Sequence, residues 1–318
     1  MYGCALKGFR AALGDTLLAL GSQYRNMVVI DSETGTATNV MEFREQYPDR
    51  FVTMGIAEQT AISFAFALSR CGMIPVVPMF SCFLARRACD QVYVQIGYAN
   101  ANVKLIGCYS GLSTPNTGAT HQSINEFAIM RSIPNIKVIE TADPRELEQA
   151  LRRSMEYQGP VFIRMVRGDI EEYEQIVTPP EHRFELDRAS VLRKGTDISL
   201  VACGLMVPRA MKAATILEGE GISAEVVNCS SIKPIDIETI AASARKTGRV
   251  VTAENHNVYG GMGSAVAEIL VEHCPVPMRL MGIEDEYGWS GPLETLLPHY
   301  GLTAERIAEK ARELMGKG

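Results

Sequence analysis

The stretch Phe51-Val-Thr-Met-Gly-Ile-Ala-Glu-Gln-Thr60 runs from a short strand through a glycine turn into the start of a helix, and Ala61-Ile-Ser-Phe-Ala-Phe-Ala-Leu68 continues that helix with an almost wholly apolar face. Strands that alternate with helices build parallel sheets covered on both faces. Outward from this stretch the alternation persists. Strands are expected at 27–31, 51–53, 75–79, 103–108, 136–139 and 161–164, and helices at 10–22, 57–69, 83–96 and 144–157, the last opened by Ala142-Asp143-Pro144. A polar interval with Glu-rich 171–175 and Pro179-Pro180 then reads as a connection. A second set follows, with strands at 197–202, 224–228, 249–253 and 277–282, helices at 207–220, 236–247 and 263–273, and a charged surface helix at 304–315. The predicted fold class is α/β, with two doubly wound, mostly parallel-sheet domains at 1–170 and 195–318 and a linker at 171–194.

Composition excludes the unusual classes. The 318 residues are 47% hydrophobic and 21% charged, as in ordinary globular domains, and give two domains room for substantial cores. With 37 acidic against 31 basic side chains, the net charge of -6 offers no chain-wide attraction to nucleic acid or an anionic membrane. The longest apolar runs, 65–68 and 74–80, fall far short of the ~20 residues of a membrane span. Residues 1–10 carry Lys7 and Arg10 with no apolar h-region after them, so a cytoplasmic location is expected. Eight scattered cysteines without a CxxC pair read as reduced core residues.

Several residues could carry chemistry. Glu58 opens its helix, where the dipole and capping alone favour a carboxylate. The apolar face behind it also carries Glu58 toward a buried region, where lost hydration favours the neutral carboxyl. Phe80 and Phe83, spaced i to i+3 in Met79-Phe-Ser-Cys-Phe-Leu-Ala-Arg-Arg-Ala-Cys-Asp90, read either as core packing or as an aromatic slot. His121, after a Gly118-Ala-Thr turn in a loop rich in small residues, would lie at the carboxyl edge of a parallel sheet, where ligands bind. Arg10 and Arg167 could grip an anion or simply form surface ion pairs, and strand alternation would point Arg164 and Arg167 in opposite directions. Gly261-Met-Gly-Ser-Ala265 is an incomplete dinucleotide fingerprint and reads as a tight strand-to-helix turn.

Taken in order, Gly55-Ile-Ala-Glu-Gln59, the Met79 to Asp90 stretch, Gly118-Ala-Thr-His-Gln122, Met130-Arg-Ser-Ile-Pro-Asn135, Gly159-Pro-Val-Phe-Ile-Arg-Met-Val-Arg167, Ile232-Lys-Pro-Ile-Asp236 and Thr252-Ala-Glu-Asn-His-Asn257 with Gly260-Gly-Met-Gly-Ser264 resemble the C-terminal half of transketolase. The resemblance covers nearly the whole chain and implies a pyrimidine-binding domain followed by a transketolase C-terminal domain. It implies thiamine diphosphate as cofactor and two-carbon ketol transfer from a ketose to an aldose as activity. Glu58 would share a proton with the far nitrogen of the cofactor's pyrimidine, Phe80 and Phe83 would form its slot, and Glu33 would stand where the family has an Asp near the cofactor. His121 would meet the substrate, and Arg10 and Arg167 its terminal anion. The resemblance assigns the C-terminal domain packing and subunit contacts but no catalytic group.

The family binds the cofactor's diphosphate through a divalent cation held by a Gly-Asp-Gly motif and a following Asn. This sequence has only Gly14-Asp15-Thr16 and Gly168-Asp169-Ile170. The expectation is therefore a split enzyme: a partner chain holds Mg2+ or Ca2+, the complex is an α2β2 heterotetramer, the substrates are small sugars, and this chain holds no metal, nucleic acid or membrane. Tyr109 stands where the family has a His that helps hold phosphate, and Pro115-Asn-Thr117-Gly replaces Gly-Glu-Asp-Gly, so Thr117 is neutral where the family's Asp meets a donor hydroxyl. These departures imply a donor other than xylulose 5-phosphate, branched or with a different anionic end. The competing readings are the β subunit of a 2-oxo acid dehydrogenase decarboxylase component, a deoxyxylulose-phosphate synthase, which is usually a single long chain, and a noncatalytic assembly subunit. Gly118-Ala-Thr-His-Gln122 with Met130-Arg-Ser-Ile-Pro-Asn135 fits transketolase better.

Overall fold

The structure, a computed structural model, describes residues 8–167 and 176–316. Among these, twelve strands form two sheets: β1 Met27–Asp31, β2 Phe51–Thr53, β3 Ile74–Phe80, β4 Lys104–Cys108, β5 Lys137–Glu140, β6 Val161–Arg164, β7 Ser190–Arg193, β8 Ile198–Ala202, β9 Ala224–Asn228, β10 Ser231–Lys233, β11 Val250–Asn257 and β12 Met278–Ile283. The first sheet has the order β10-β5-β6-β4-β3-β1-β2, and the second β12-β11-β8-β9-β7. All pairings are parallel except β10 with β5 and β7 with β9. Strands β1, β4, β6, β8 and β9 are buried at every position because helices cover both faces, which explains their continuous rather than alternating apolar runs.

Most predicted elements are present, and three departures matter. The helix expected at 83–96 is broken into Phe83–Arg87, Cys89–Gln91 and Val92–Tyr98, with wide π-type turns at both ends; the Ala88 N–H donates to the Phe83 carbonyl five residues back, at 3.2 Å. Ser190–Arg193, inside the expected linker, is an antiparallel edge strand of the second sheet, while 168–175 lie outside the described residues. The third departure is β10. It comes from the second half of the chain, yet it completes the edge of the first sheet beside β5.

The seam between the halves is also charged. Fully buried Arg164 donates through Nε to Glu126 Oε1 at 2.6 Å, through Nη1 to Glu140 and through Nη2 to the Asn255 carbonyl at 2.6 Å. Burial alone would raise Glu126, but Arg164 and His256 hold it below the usual carboxylate range, whereas burial outweighs Arg164 at Glu140 and raises it. Next to them, His256 Nε2 accepts the Phe127 N–H at 3.1 Å, so its proton is on Nδ1, which lies 2.7 Å from the Asn257 carbonyl. Burial lowers His256 to about 4 and raises Glu254 to about 7. The Gly261-Met-Gly turn wraps onto this second carboxylate, which accepts the Met262 and Gly263 N–H groups at 2.6 and 2.9 Å. A Cβ on Gly261 would come within 2.1 Å of Glu254 Oε2, so these glycines serve an internal carboxylate.

Candidate active site

Every sequence-predicted site residue except Arg10 follows the carboxyl end of a parallel strand of the first sheet. Glu33 follows β1, Glu58 follows β2, Phe80 ends β3 with Phe83 just beyond, Tyr109, Thr117 and His121 follow β4, and Arg167 follows β6. The open edge of a doubly wound sheet is where loops converge on a ligand. Two of these residues have left-handed backbones despite their side chains, Glu33 at φ 58° and Tyr109 at φ 63°. Such conformations persist only where the surroundings enforce them, and they cluster at functional sites. Arg10, on the first helix, joins the site from the side: its Nη2 donates to the Thr36 carbonyl at 3.0 Å.

Glu58 is the first residue of the Glu58–Arg70 helix, and its side chain is only 4% exposed. It is not, however, an isolated carboxyl in an apolar slot. Arg87 Nη1 donates to Glu58 Oε1 at 2.7 Å, while the same guanidinium lies 4.1 Å from the Phe83 ring centre. A flat nitrogenous cation thus rests on an aromatic face and donates to the buried carboxylate. The turn carrying Glu58 is braced from β1: Ser32 Oγ donates to the Gly55 carbonyl at 2.8 Å and accepts the Ala57 N–H at 3.3 Å. Glu33, the next residue, is exposed.

The aromatic residues form one connected cluster. Phe80 and Phe83 lie 5.9 Å apart with nearly parallel rings, Phe80 is 4.5 Å from Tyr109, and His121 meets Phe83 edge-on at 5.1 Å and Phe80 at 6.2 Å. His121 Nδ1 lies 2.9 Å from Thr120 Oγ1, which leaves Nε2 as the atom available to a ligand. At the other end, Arg167 lies over the Tyr109 ring at 5.4 Å, and the Tyr109 hydroxyl donates to the Ala37 carbonyl at 2.9 Å, next to the Thr36 carbonyl held by Arg10. Of the two predicted anion-binding arginines, Arg167 thus rests on this tyrosine and Arg10 holds the carbonyl beside the one its hydroxyl reaches, and β6 has ended before Arg167, separating it from buried Arg164. Thr117 sits exposed at the loop tip, its hydroxyl donating to the Thr114 carbonyl at 2.9 Å.

Sequence reasoning missed Arg87, because a charged residue on a helix reads as a solvated surface. It also missed the contacts that the second half makes with the 110–123 loop. Asn255 Oδ1 accepts the Leu112 N–H at 3.1 Å, Gln122 Nε2 donates to the Trp289 carbonyl at 2.9 Å, and the Gly291 N–H donates to the Pro115 carbonyl at 3.2 Å. The glycines, serine and lone tryptophan of 287–292 were the available signal. Among the described residues no cysteines are bridged, and burial pushes Cys82 up to about 11 and Cys229 up to about 12, leaving these thiols un-ionised near neutral pH. Also among the described residues, no group of His, Cys, Asp and Glu could hold a metal ion, and no helix is long and apolar enough to cross a membrane.

Comparison with known proteins identifies the family. Residues 7–172 match the transketolase pyrimidine-binding domain and residues 187–307 the transketolase C-terminal domain. The chain is 40% identical, over 94% of its length and 92% of the relative's, to a 6-deoxy-6-sulfo-D-fructose transketolase subunit of Clostridium sp. (strain MSTE9). It is 35% identical, over 97% of both chains, to an apulose-4-phosphate transketolase subunit of Phocaeicola vulgatus. Among solved structures it resembles a split gene transketolase described as an inactive beta4 tetramer, with a TM-score of 0.87 and 38% identity over 97% of this chain and 98% of that one. A carboxylate-and-aromatic site at the carboxyl edge of the first sheet, a second doubly wound half behind it and full-length similarity to such subunits together place the chain in the transketolase family.

Proposed function

We propose that the chain is the pyrimidine-side subunit of a split, thiamine diphosphate-dependent transketolase that moves a two-carbon ketol unit from an anionic ketose to an aldose. The observation that carries this reading is the pairing of buried Glu58 with the aromatic face of Phe83, bridged by the guanidinium of Arg87. A site that holds one flat group with an N–H donor in this way suits another, and the aminopyrimidine of the cofactor is such a group. When bound, thiamine diphosphate supplies a nucleophilic ring carbon and an electron sink for the two-carbon fragment.

The remaining steps belong to this chain's residues. Glu58 shares a proton with a pyrimidine nitrogen, and Arg87, which donates to Glu58 and lies over the Phe83 ring, ties the carboxyl to that aromatic wall. Phe80 and Phe83 exclude water from that ring's face. His121 Nε2 is directed to a hydroxyl or carbonyl oxygen of the ketose. Arg167, over the Tyr109 ring, and Arg10, at the Thr36 carbonyl, hold the far anionic end, and their guanidinium forks suit a sulfonate as well as a phosphate. Thr117 and Tyr109, both neutral, favour donors other than xylulose 5-phosphate. The diphosphate and its Mg2+ or Ca2+ fall to a partner subunit in an α2β2 assembly.

Co-expression with a candidate diphosphate-binding subunit tests the reading directly. Ketol transfer is expected from the pair with thiamine diphosphate and a divalent cation, and none from this chain alone. Absence of transfer from any sulfonated or phosphorylated ketose by a properly assembled pair would overturn it. A preference for xylulose 5-phosphate over every modified ketose would reject the altered selectivity alone.

A further inference from the structure

The 110–123 loop, which presents Thr117 and His121, is closed at its base by paired hydrogen bonds between Gly111 and Ser123 at 2.7 and 3.1 Å. Its outer turn is shaped by the other half of the chain. Gln122, 1% exposed, donates to the Trp289 carbonyl, and its Oε1 fills the space where a Cβ on Gly288 would stand, 1.8 Å away. Pro115 accepts from the Gly291 N–H, and Ser290 Oγ lies 2.5 Å from where a Cβ on Gly118 would project. The 287–292 segment is itself pinned from behind. The Trp289 N–H donates to the Tyr300 hydroxyl at 3.0 Å, that hydroxyl donates to the Tyr287 carbonyl at 2.9 Å, and the Trp289 ring packs on His299 at 4.4 Å.

We propose that the 287–292 segment of the C-terminal domain is a specificity-determining latch that, through Gly288 and Gln122, fixes the conformation in which Thr117 and His121 meet the donor ketose. The inference rests on the proposed ketol-transfer site. It gives the second half of the chain a part in substrate selection beyond packing and subunit contacts. Gly288 and Gln122 act here as positioning residues: they touch the loop, not the donor. Two glycines in the contact, 118 and 288, leave room for the side chains of Ser290 and Gln122, where any side chain of their own would intrude. The latch grips neither Glu58 nor Phe83, so it separates donor recognition from cofactor binding.

Gly288→Ala is the direct test, because the added methyl meets the movable end of Gln122 and the Leu112 side chain rather than backbone. Gln122→Ala removes the same contact without a clash. In the assembled complex both variants should raise the donor KM about fivefold or more and change the ranking of ketoses that differ near Thr117 and His121. Thiamine diphosphate affinity, measured by fluorescence quenching, should stay within twofold. The double variant should be no worse than the poorer single one, and amide exchange across 112–122 should rise in both. Unchanged donor KM and ranking would overturn the latch, as would a loss of cofactor affinity and donor binding in step. A wild-type complex that transfers from no ketose would instead overturn the ketol-transfer reading; amide exchange then decides the latch, and unchanged protection of 112–122 sinks it.

Discussion

Glu58 carries two opposed interactions, burial and a cation, and the balance between them decides how it can work. Its partner Arg87 is 47% exposed, so the ion pair is partly screened and contributes little to overall stability. Glu58→Gln keeps the volume and one acceptor oxygen but abolishes proton exchange, and in the assembled complex kcat is expected to fall by roughly 10²–10⁴-fold with the melting temperature almost unchanged. A variant that loses stability rather than turnover would show a purely structural glutamate. At the far end of the site, Arg167→Ala should raise KM for an anionic donor roughly tenfold or more, the effect of one lost charge-assisted hydrogen bond, and should leave a neutral ketose of the same length unaffected. The burial of Glu58 and the convergence of Phe80, Phe83 and His121 were legible because each residue sits in a stretch with its own local signature. Arg87 was not, since its partner lies 29 positions away and only the fold brings them together.

At the level of elements, the start of the Pro144–Glu156 helix was readable from three residues, and the structure adds why the Asp is needed. Asp143 Oδ1 accepts the Glu146 N–H at 2.8 Å as a helix cap, while Oδ2 accepts from Val177 N at 3.0 Å and from Thr178 N and Oγ1 at 2.7 Å each. One carboxylate therefore caps a helix and docks the chain that leaves the first sheet. Asp143→Ala strands several buried donors besides the cap and should cost about 3 kcal/mol, measured as a lowered urea midpoint. A loss of only a few tenths would mean that water replaces the carboxylate freely. Apolar periodicity missed the widened turns at 83–87 and 92–98 because stretches of 5 and 7 residues are too short to tell the longer π-type period from the α-helical one. It missed β10 for a different reason: three residues carry too little pattern, and their partner β5 is some 90 positions away.

For the molecule as a whole, the buried charges at the seam set the response to pH. Glu254 is raised to about 7 by burial, so the folded protein holds its proton more tightly than the unfolded chain does. That contribution to stability is complete below about pH 4.5 and is lost as the pH climbs through 7. His256 is lowered to about 4 by burial; its contribution is present above about pH 6.5 and is lost as the pH falls through 4. Over the shared range the two oppose each other. Glu254→Gln removes one side, so its stability relative to the wild type should improve by about 2 kcal/mol between pH 5 and pH 8, read from urea unfolding at both values. A constant difference across that range would show that Glu254 does not titrate there. Two α/β halves were visible from the sequence, but this seam was not: Arg164, Glu126, Glu140, Glu254 and His256 are scattered over 131 residues that appear polar until folding buries them together.

The strand that the second half lends to the first sheet has a practical outcome for anyone dissecting the molecule. A fragment ending before residue 231 would present β5 as an unprotected rim, open to pairing with a neighbouring copy, while the complementary fragment would carry a three-residue ribbon with nothing to pair against. Chain scission between the halves should therefore leave both pieces travelling together through a sizing column, and expressing either alone should yield aggregates rather than a tidy domain.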